Sequence, residues 1–181
     1  MDFVQPIRNK KTIEQFKNEL LKNGYRDYMM FVIGINTGLR ISDILNLKVS
    51  DVKEKTHISI VEKKTKKNKR FMINTMLKAE IDRYIDNMND DDYLFSSRKG
   101  KNKPITRVQA YRILNNVADK LGIEEIGTHT LRKTFGYWHY QKNKDVALLQ
   151  NLFNHSAPSI TLRYIGINQD IMDKSIKEFY L

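Results

Sequence analysis

With 181 residues, the chain is long enough for one buried core and too short for two well-packed domains, so we expect a single domain over residues 1–181. Its 32 lysines and arginines exceed its 21 aspartates and glutamates, and the net charge of +11 indicates an anionic partner. No apolar run is long enough to cross a bilayer and the first residues lack a secretory signal, which favours nucleic acid over a membrane.

In the first half of the chain, apolar periodicity predicts helices over Thr12–Asn23, Asp27–Asn36 and Arg40–Leu47. The pattern then changes to β-branched alternation over His57–Val61 and again over Arg70–Ile73. A basic loop joins these two runs, as is typical of a β-hairpin.

In the second half, the helical period returns after Thr75, and Tyr93–Phe95 has the composition of a short buried segment. The remaining predicted helices are Thr106–Leu121, His129–Gln141, Asp145–Phe153 and Gln169–Phe179. No internal repeat or low-complexity tract interrupts this order. The sequence therefore predicts a mainly α fold with a small antiparallel β-sheet, an α+β domain.

The absence of cysteine excludes disulfides, thiolate metal sites and cysteine nucleophiles. Only four histidines are present, so we predict no metal site, and no phosphate-binding glycine loop indicates a nucleotide. No cofactor is therefore expected. The lack of cysteine also suits a cytoplasmic protein.

Three short stretches, TGLRISD (37–43), GTHTLRKTFG (127–136) and FNHSAPSITLRYIG (153–166), carry side chains suited to phosphoryl transfer. Arginines can bind a phosphate through two hydrogen bonds, histidines can move protons, and a tyrosine can act as nucleophile. The residues in question are Arg40, His129, Arg132, His155 and Tyr164.

Each of these residues also has a simpler interpretation. A lone arginine such as Arg40 is usually a solvated surface charge, and His155 would be favourable at a helix C-terminus through the helix dipole alone. His129 and Arg132 are three residues apart and share one helical face. Asn154, before His155, tolerates the positive φ that such a helix end often needs. Most tyrosines pack in apolar interfaces, and Tyr164 is distinguished by its spacing.

The order and separation of these residues resemble the catalytic signature of the tyrosine recombinase (phage integrase) family. The resemblance implies that Tyr164 attacks a phosphate of double-stranded DNA, forming a 3′-phosphotyrosyl bond without metal or ATP. Arg40 and Arg132 would neutralise the phosphate, His129 and His155 would assist, and Asp43 would either support the site or cap a local helix.

The family also places a lysine on the hairpin as the general acid. Lys64 is our assignment, because Lys64-Thr65 followed by Lys67 resembles the family's KTxK pattern, and Lys63 and Lys66 remain alternatives. The other basic residues of the two loops are predicted to contact the DNA backbone. They are Lys63, Lys66, Lys67, Lys69, Arg70, Arg98, Lys99, Lys101 and Lys103.

Members of the family usually carry a separate N-terminal domain that clamps DNA, and we expect this domain to be absent here. The resemblance implies a nucleoid-associated enzyme of a mobile element, acting in DNA integration or recombination. It also implies oligomers on DNA formed through the C-terminal segment 168–181, and another recombinase or an accessory DNA-binding protein as partner. Two alternatives stay open: a DNA-binding regulator with little activity, and a nicking-closing enzyme resembling type IB topoisomerases.

Overall fold

The computed structural model describes residues 4–61 and 68–180. Its helices are α1 (Lys10–Asn23), α2 (Tyr25–Thr37), α3 (Ile41–Leu45), α4 (Thr75–Ile85), α5 (Arg107–Leu121), α6 (Thr128–Asn143), α7 (Val146–Phe153), α8 (Pro158–Tyr164) and α9 (Ile167–Ile176). A short 3₁₀ turn covers Val49–Asp51. None of the described helices is long and apolar enough to cross a membrane.

The strands β1 (His57–Val61) and β2 (Asn68–Met72) form one antiparallel pair, with Ile58 opposite Phe71. These two side chains face the interior, while their neighbours Ser59 and Arg70 are more exposed, as expected for alternating strands. The predicted α+β class with a small antiparallel sheet is confirmed.

Side-chain caps set several helix starts. The side chains of Asn9, Asn74, Thr106 and Asp145 each accept a backbone N–H of the helix that follows. The predicted helices began at Thr106 and Asp145, which are the cap residues, so each predicted start lies one residue before the helix in the structure. The predicted starts were close because a cap residue stands directly before the first residue of the amphipathic pattern.

Two elements differ from the prediction by more than two residues at either end. The last helix ends at Ile176, short of the predicted Phe179, and residues Pro158–Tyr164 form a helix that periodicity did not indicate. Seven residues are less than two turns, too few for a periodic signal. Pro158 in the first helical turn is the local signal for this helix, because the fixed φ of proline suits that position.

Helix α6 lies between two apolar clusters of unequal size. The larger, which we call the main core, joins α1–α5, the strands and Leu131 of α6. The smaller lies under residues 146–176, which we call the nucleophile segment because it carries the predicted nucleophile Tyr164. Its buried members are Leu149, Phe153, Ile165 and Ile167. Glycines allow close approach on both sides of α6. A Cβ on Gly34 would lie 2.6 Å from Leu131, and one on Gly136 would lie 2.6 Å from Ile165.

Candidate active site

Arg40 is placed by the turn that ends α2. Gly38 adopts a left-handed conformation, with φ of 67°, and a Cβ there would lie 2.4 Å from the ring of Phe135. Glycine is therefore required at this turn. The chain then enters α3 with Arg40 as its N-cap residue, and the Arg40 side chain is exposed.

Arg132 is buried, with 5% of its surface exposed, and connects the two sides of the site. Its guanidinium donates to the carbonyls of Gly38 and Phe153, the latter at 3.1 Å, and lies 4.2 Å from the centre of the Phe153 ring. Burial lowers the pKa of Arg132 to about 10, while Tyr164 and Asp43 act in the opposite direction. Arg132 therefore stays charged at neutral pH.

The Tyr164 hydroxyl lies 3.3 Å from Nδ1 of His129. Burial raises the pKa of Tyr164, and the nearby charges of Arg132 and Arg40 counteract part of that effect. Partial desolvation lowers the pKa of His129, and the cations around it, beginning with Arg107, lower it further. At neutral pH the phenol is therefore protonated and the imidazole is neutral.

His155 follows the C-terminus of α7 through Asn154, which adopts the left-handed conformation that asparagine tolerates, with φ of 59°. Its Nδ1 lies 3.0 Å from the hydroxyl of Thr161, which is fully buried, and its ring centre lies 5.1 Å from that of Tyr164. Burial lowers the pKa of His155, and the charges of Arg132, Arg40 and Lys69 lower it further. The two histidines thus reach Tyr164 from different elements.

These contacts bring the predicted residues Arg40, His129, Arg132, His155 and Tyr164 into one site, although they span 125 positions of the sequence, from 40 to 164. Asp43 is half-buried and close enough to raise the pKa of Arg132. Its supporting role stays a prediction. Among residues 4–61 and 68–180, no group of three or more histidine and carboxylate side chains could hold a metal ion.

Residues 8–170 match the phage integrase family. The chain belongs to this family of tyrosine recombinases. It is 52% identical over 179 residues to the protein named "Probable integrase/recombinase YoeC" of Bacillus subtilis strain 168, covering 99% of this chain and 98% of that protein. It is 29% identical over 178 residues to the tyrosine recombinase XerH of Campylobacter jejuni, covering 93% of this chain and 49% of XerH.

Solved recombinase structures share the fold. XerH bound to palindromic difH in a post-cleavage complex matches with a TM-score of 0.71 and 21% identity, over 97% of this chain and 53% of that one. XerA matches with a TM-score of 0.73 and 21% identity, over 97% and 67%. The chain thus spans about half the length of XerH. The resemblance drawn from the catalytic signature is confirmed, and the protein is a tyrosine recombinase.

The hairpin of this recombinase shows an unexpected contact. Lys69 of β2 was predicted to contact DNA, but its Nζ donates to the carbonyls of Asn151 at 2.9 Å and Leu152 at 3.2 Å. These are last-turn carbonyls of α7, where a cation is favourable. Arg70 is exposed beside Nδ1 of His57, at 3.3 Å. The assigned acid Lys64 and the loop residues Lys63, Lys66 and Lys67 lie outside the described residues.

The second basic loop is exposed along its length. Its ends are held by a bridge between Ser96 and Pro104, and by a 2.7 Å bond from the Ser97 N–H to the Lys103 carbonyl. Its cations are Arg98, Lys99, Lys101 and Lys103. Their contact with DNA stays a prediction.

Three residues near the nucleophile were not predicted as site residues. Thr161 contacts His155, Lys133 lies 5.1 Å from the centre of the Tyr164 ring, and Arg8 donates to the carbonyl of Gly166, two residues after Tyr164. Thr161 and Lys133 lie inside the motif stretches, so a helical-wheel argument could have found them. Arg8 is 158 positions from Gly166 in the sequence, and no pattern around residue 8 indicates this contact.

Proposed function

We propose that this tyrosine recombinase is a site-specific DNA strand transferase that cleaves double-stranded DNA through a 3′-phosphotyrosyl intermediate. The observation that carries the proposal is the Tyr164 hydroxyl, held 3.3 Å from a neutral histidine and close to the charges of Arg132 and Arg40. A phenol among cations can ionise as it attacks, because the developing negative charge is stabilised in place.

In the proposed step, the Tyr164 oxygen attacks the scissile phosphorus, and the bond between phosphorus and the 5′ oxygen breaks. His129 takes the tautomer with its proton on Nε2 in this step, so that Nδ1, 3.3 Å from the phenol oxygen, accepts the phenol proton. Arg40 and Arg132 neutralise the pentacoordinate phosphate, and His155 donates a hydrogen bond to it. Attack by a 5′-hydroxyl from a partner strand reverses these bond changes. The phosphotyrosyl bond conserves the energy of the phosphodiester, so rejoining needs no ATP.

The leaving 5′ oxygen needs a proton, and Lys64 is proposed to supply it. A bridging 5′-phosphorothiolate offers a sulfur leaving group that needs little protonation. Lys64→Ala should therefore cleave normal DNA slowly and the thiolate at a rate near wild type. If Lys63→Ala or Lys66→Ala shows this rescue in place of Lys64→Ala, the acid is assigned to the wrong lysine.

Double-stranded DNA is the proposed partner. The net charge of +11 and the exposed loop cations Arg98, Lys99, Lys101 and Lys103 favour it. The structural relative XerH was solved with its difH substrate, and lambda integrase as a dimer on a core site, which supports the same partner here.

The tail after the nucleophile is proposed to bind a second copy of the chain on DNA. Of its apolar side chains, Ile167 is buried, whereas Ile171, Met172, Ile176, Phe179 and Tyr180 are half exposed or more. Such a short helix is marginal in water unless its apolar face is covered. Deleting residues 171–181 should abolish assembly on DNA while the chain still folds. Unfolding of the truncated monomer would instead assign the tail to its own core.

The decisive experiment is covalent capture with Tyr164→Phe. Wild type is incubated with a randomised pool of nicked duplexes, and denaturant-stable adducts are isolated and sequenced. The variant loses one hydroxyl and should form no adduct, a loss on the order of 10⁴-fold or more, while folding and DNA affinity change little. Tyr140→Phe, on another tyrosine packed against the smaller cluster, is the matched control. An adduct formed by Tyr164→Phe, or none by wild type, contradicts the proposal.

A further inference from the structure

The segment Val4–Arg8 runs along α6, on the side of the nucleophile. The Gln5 N–H donates to the Glu125 carbonyl at 2.9 Å, and the Ile7 N–H donates to the buried hydroxyl of Thr134 at 2.9 Å. The Ile7 carbonyl accepts from the Trp138 indole at 2.9 Å. These bonds fix the backbone of the segment, so the side chains it carries start from a defined position.

Arg8 extends from this segment to the turn that follows the nucleophile. Its guanidinium donates to Oδ1 of Asp170 at 2.8 Å, to the Gly166 carbonyl at 3.3 Å and to the Gln5 side chain at 3.0 Å. It also lies 5.6 Å from the centre of the Tyr137 ring of α6. One half-buried side chain therefore joins the N-terminal segment, α6, the turn between α8 and α9, and α9 itself.

Gly166 is adapted to this contact. Its φ is 81°, in the left-handed region, and a Cβ there would lie 2.4 Å from Nη2 of Arg8. Any other residue would both strain the turn and displace the guanidinium. The turn and the arginine are thus fitted to each other, two residues from Tyr164.

Lys133 makes a second connection between the N-terminal segment and Tyr164. Its Nζ donates to the Val4 carbonyl at 2.6 Å and lies 5.1 Å from the centre of the Tyr164 ring. The N-terminal segment is therefore held both to the ring of Tyr164, through Lys133, and to the backbone beyond it, through Arg8.

Only a few buried apolar side chains hold the nucleophile segment in place. Among the described residues, the buried apolar side chains beneath the nucleophile segment are Leu149, Phe153, Ile165 and Ile167. Helix α9 is exposed from Ile171 onward, so polar contacts supplement buried Ile165 and Ile167 in orienting the α8–α9 turn. A reacting atom misplaced by about 1 Å can lose on the order of 10²-fold in rate. Contacts that hold this turn therefore bear directly on cleavage.

We infer that Arg8 is a positioning residue for the nucleophile, holding Tyr164 in its attacking position through Gly166 and Asp170. This inference rests on the proposed function, in which Tyr164 forms the covalent bond to DNA. Arg8 touches neither the reacting atoms nor Tyr164 itself. Its effect is exerted on the backbone that carries the nucleophile.

The test compares Arg8→Gln, Arg8→Lys and Asp170→Asn with the control Arg83→Gln, which removes an exposed ion pair with Glu80 on α4. The substrate is a nicked duplex recovered by covalent capture on the wild-type chain. Single-turnover attachment is measured at saturating protein, and DNA affinity is measured separately. Hydrogen exchange of the amides of residues 165–170 is followed without DNA, and those of α2 and α5 serve as internal reference.

Arg8→Gln should slow attachment by on the order of tenfold, with the dissociation constant for DNA unchanged within about twofold. Arg8→Lys should recover part of the rate, because it keeps the charge facing Asp170, but its compact ammonium lacks the planar fork whose separate nitrogens serve the three acceptors. Asp170→Asn should lose less, because the Gly166 contact remains. Exchange in residues 165–170 should rise about tenfold in Arg8→Gln, with α2 and α5 unchanged.

Several results would overturn the inference. The first is an attachment rate for Arg8→Gln within twofold of the wild-type rate. The second is a loss of attachment rate in Arg8→Gln that is matched by an equal loss of DNA affinity. The third is an equal loss of attachment rate in the control Arg83→Gln. Unchanged exchange in residues 165–170 would also overturn it. These failures are distinguishable from failure of the proposed function, in which wild type itself captures no DNA and the inference falls with it.

Discussion

The main core and the nucleophile segment are built in different ways. The main core buries apolar side chains from α1–α5 and both strands, and it places Arg40 at the end of a rigid turn after α2. The nucleophile segment covers a much smaller apolar cluster and also receives polar contacts from Arg8, Lys69 and Arg132. The proposed phosphate ligand Arg40 thus lies beside the larger core, and the proposed nucleophile Tyr164 lies in the segment with less apolar burial, which we expect to open locally more often.

Arg132 is the residue that joins the two regions. Arg132 lies on α6, and its guanidinium donates to the carbonyl of Gly38 beside the main core and to the carbonyl of Phe153 in the nucleophile segment. It is charged at neutral pH. Arg40, by contrast, is exposed and belongs to one region. We therefore expect the same substitution at Arg132 and at Arg40 to have different effects on the free energy of unfolding.

The largest expected effect is that of Arg132→Lys compared with Arg40→Lys. Each should reduce covalent attachment by on the order of 10²–10³-fold, because lysine lacks the planar guanidinium that binds a phosphate bidentately. Arg132→Lys should also lower the free energy of unfolding by about 2 kcal/mol, since buried carbonyls lose a donor. Arg40→Lys should change it by less than about 0.5 kcal/mol. Denaturant unfolding and adduct formation measure both, and equal stability losses would contradict the bridging role of Arg132.

Next in size is the matched pair Gly34→Ala and Gly136→Ala. In each, the new Cβ would lie 2.6 Å from a packed side chain, Leu131 or Ile165 respectively. Overpacking of this kind costs about 1–3 kcal/mol. Gly34→Ala should lower the global free energy of unfolding. Gly136→Ala should instead raise hydrogen exchange in residues 146–170 while amides of α2 and α5 keep their protection. Uniform loss of protection in both variants would show that the two regions unfold as one unit.

A smaller effect is expected for Lys69→Ala, with Lys101→Ala as control. Lys69 binds the end of α7, so its loss should slow attachment by about tenfold through displacement of the His155 turn. The salt dependence of DNA binding should stay unchanged. Lys101→Ala should leave the rate intact and reduce the slope of log affinity against log salt by about 1. If Lys69→Ala reduces this slope instead, Lys69 is a DNA contact, as its position in the basic hairpin first indicated.

The smallest expected effect is a local loss of stability in acid. Burial and neighbouring cations lower the pKa of His155 below the value of about 6.5 that it has in the unfolded chain. The folded state therefore binds fewer protons, and the stability contributed by neutral His155 is present above pH 6.5 and lost as pH falls below it. Exchange protection in α7 and α8, corrected for the intrinsic pH dependence of amide exchange, should fall as the pH drops below 6.5 in wild type and fall less in His155→Gln. An equal fall in both would assign the acid sensitivity to other groups.

Most elements of the main core could be predicted from local pattern. The amphipathic helices α1, α4 and α5 carry apolar residues at helical spacing and begin at side-chain caps, and the two strands alternate around a basic loop. Helix α8 could not be predicted in this way, since a seven-residue helix containing exposed Ile160 and buried Thr161 shows no apolar stripe.

Sequence patterns were enough to predict the family and the helical class with its small sheet, and to nominate Arg40, His129, Arg132, His155 and Tyr164 as candidate site residues. These features depend on motifs and periodicities that are complete within a few adjacent turns of chain. Only the folded chain shows that Arg8, Lys133 and Lys69 contact the nucleophile segment. Their partners are carbonyls, a carboxylate and an aromatic ring, 31 to 162 positions away in the chain. Backbone carbonyls are the same at every residue, so no sequence pattern marks which one a distant cation will bind.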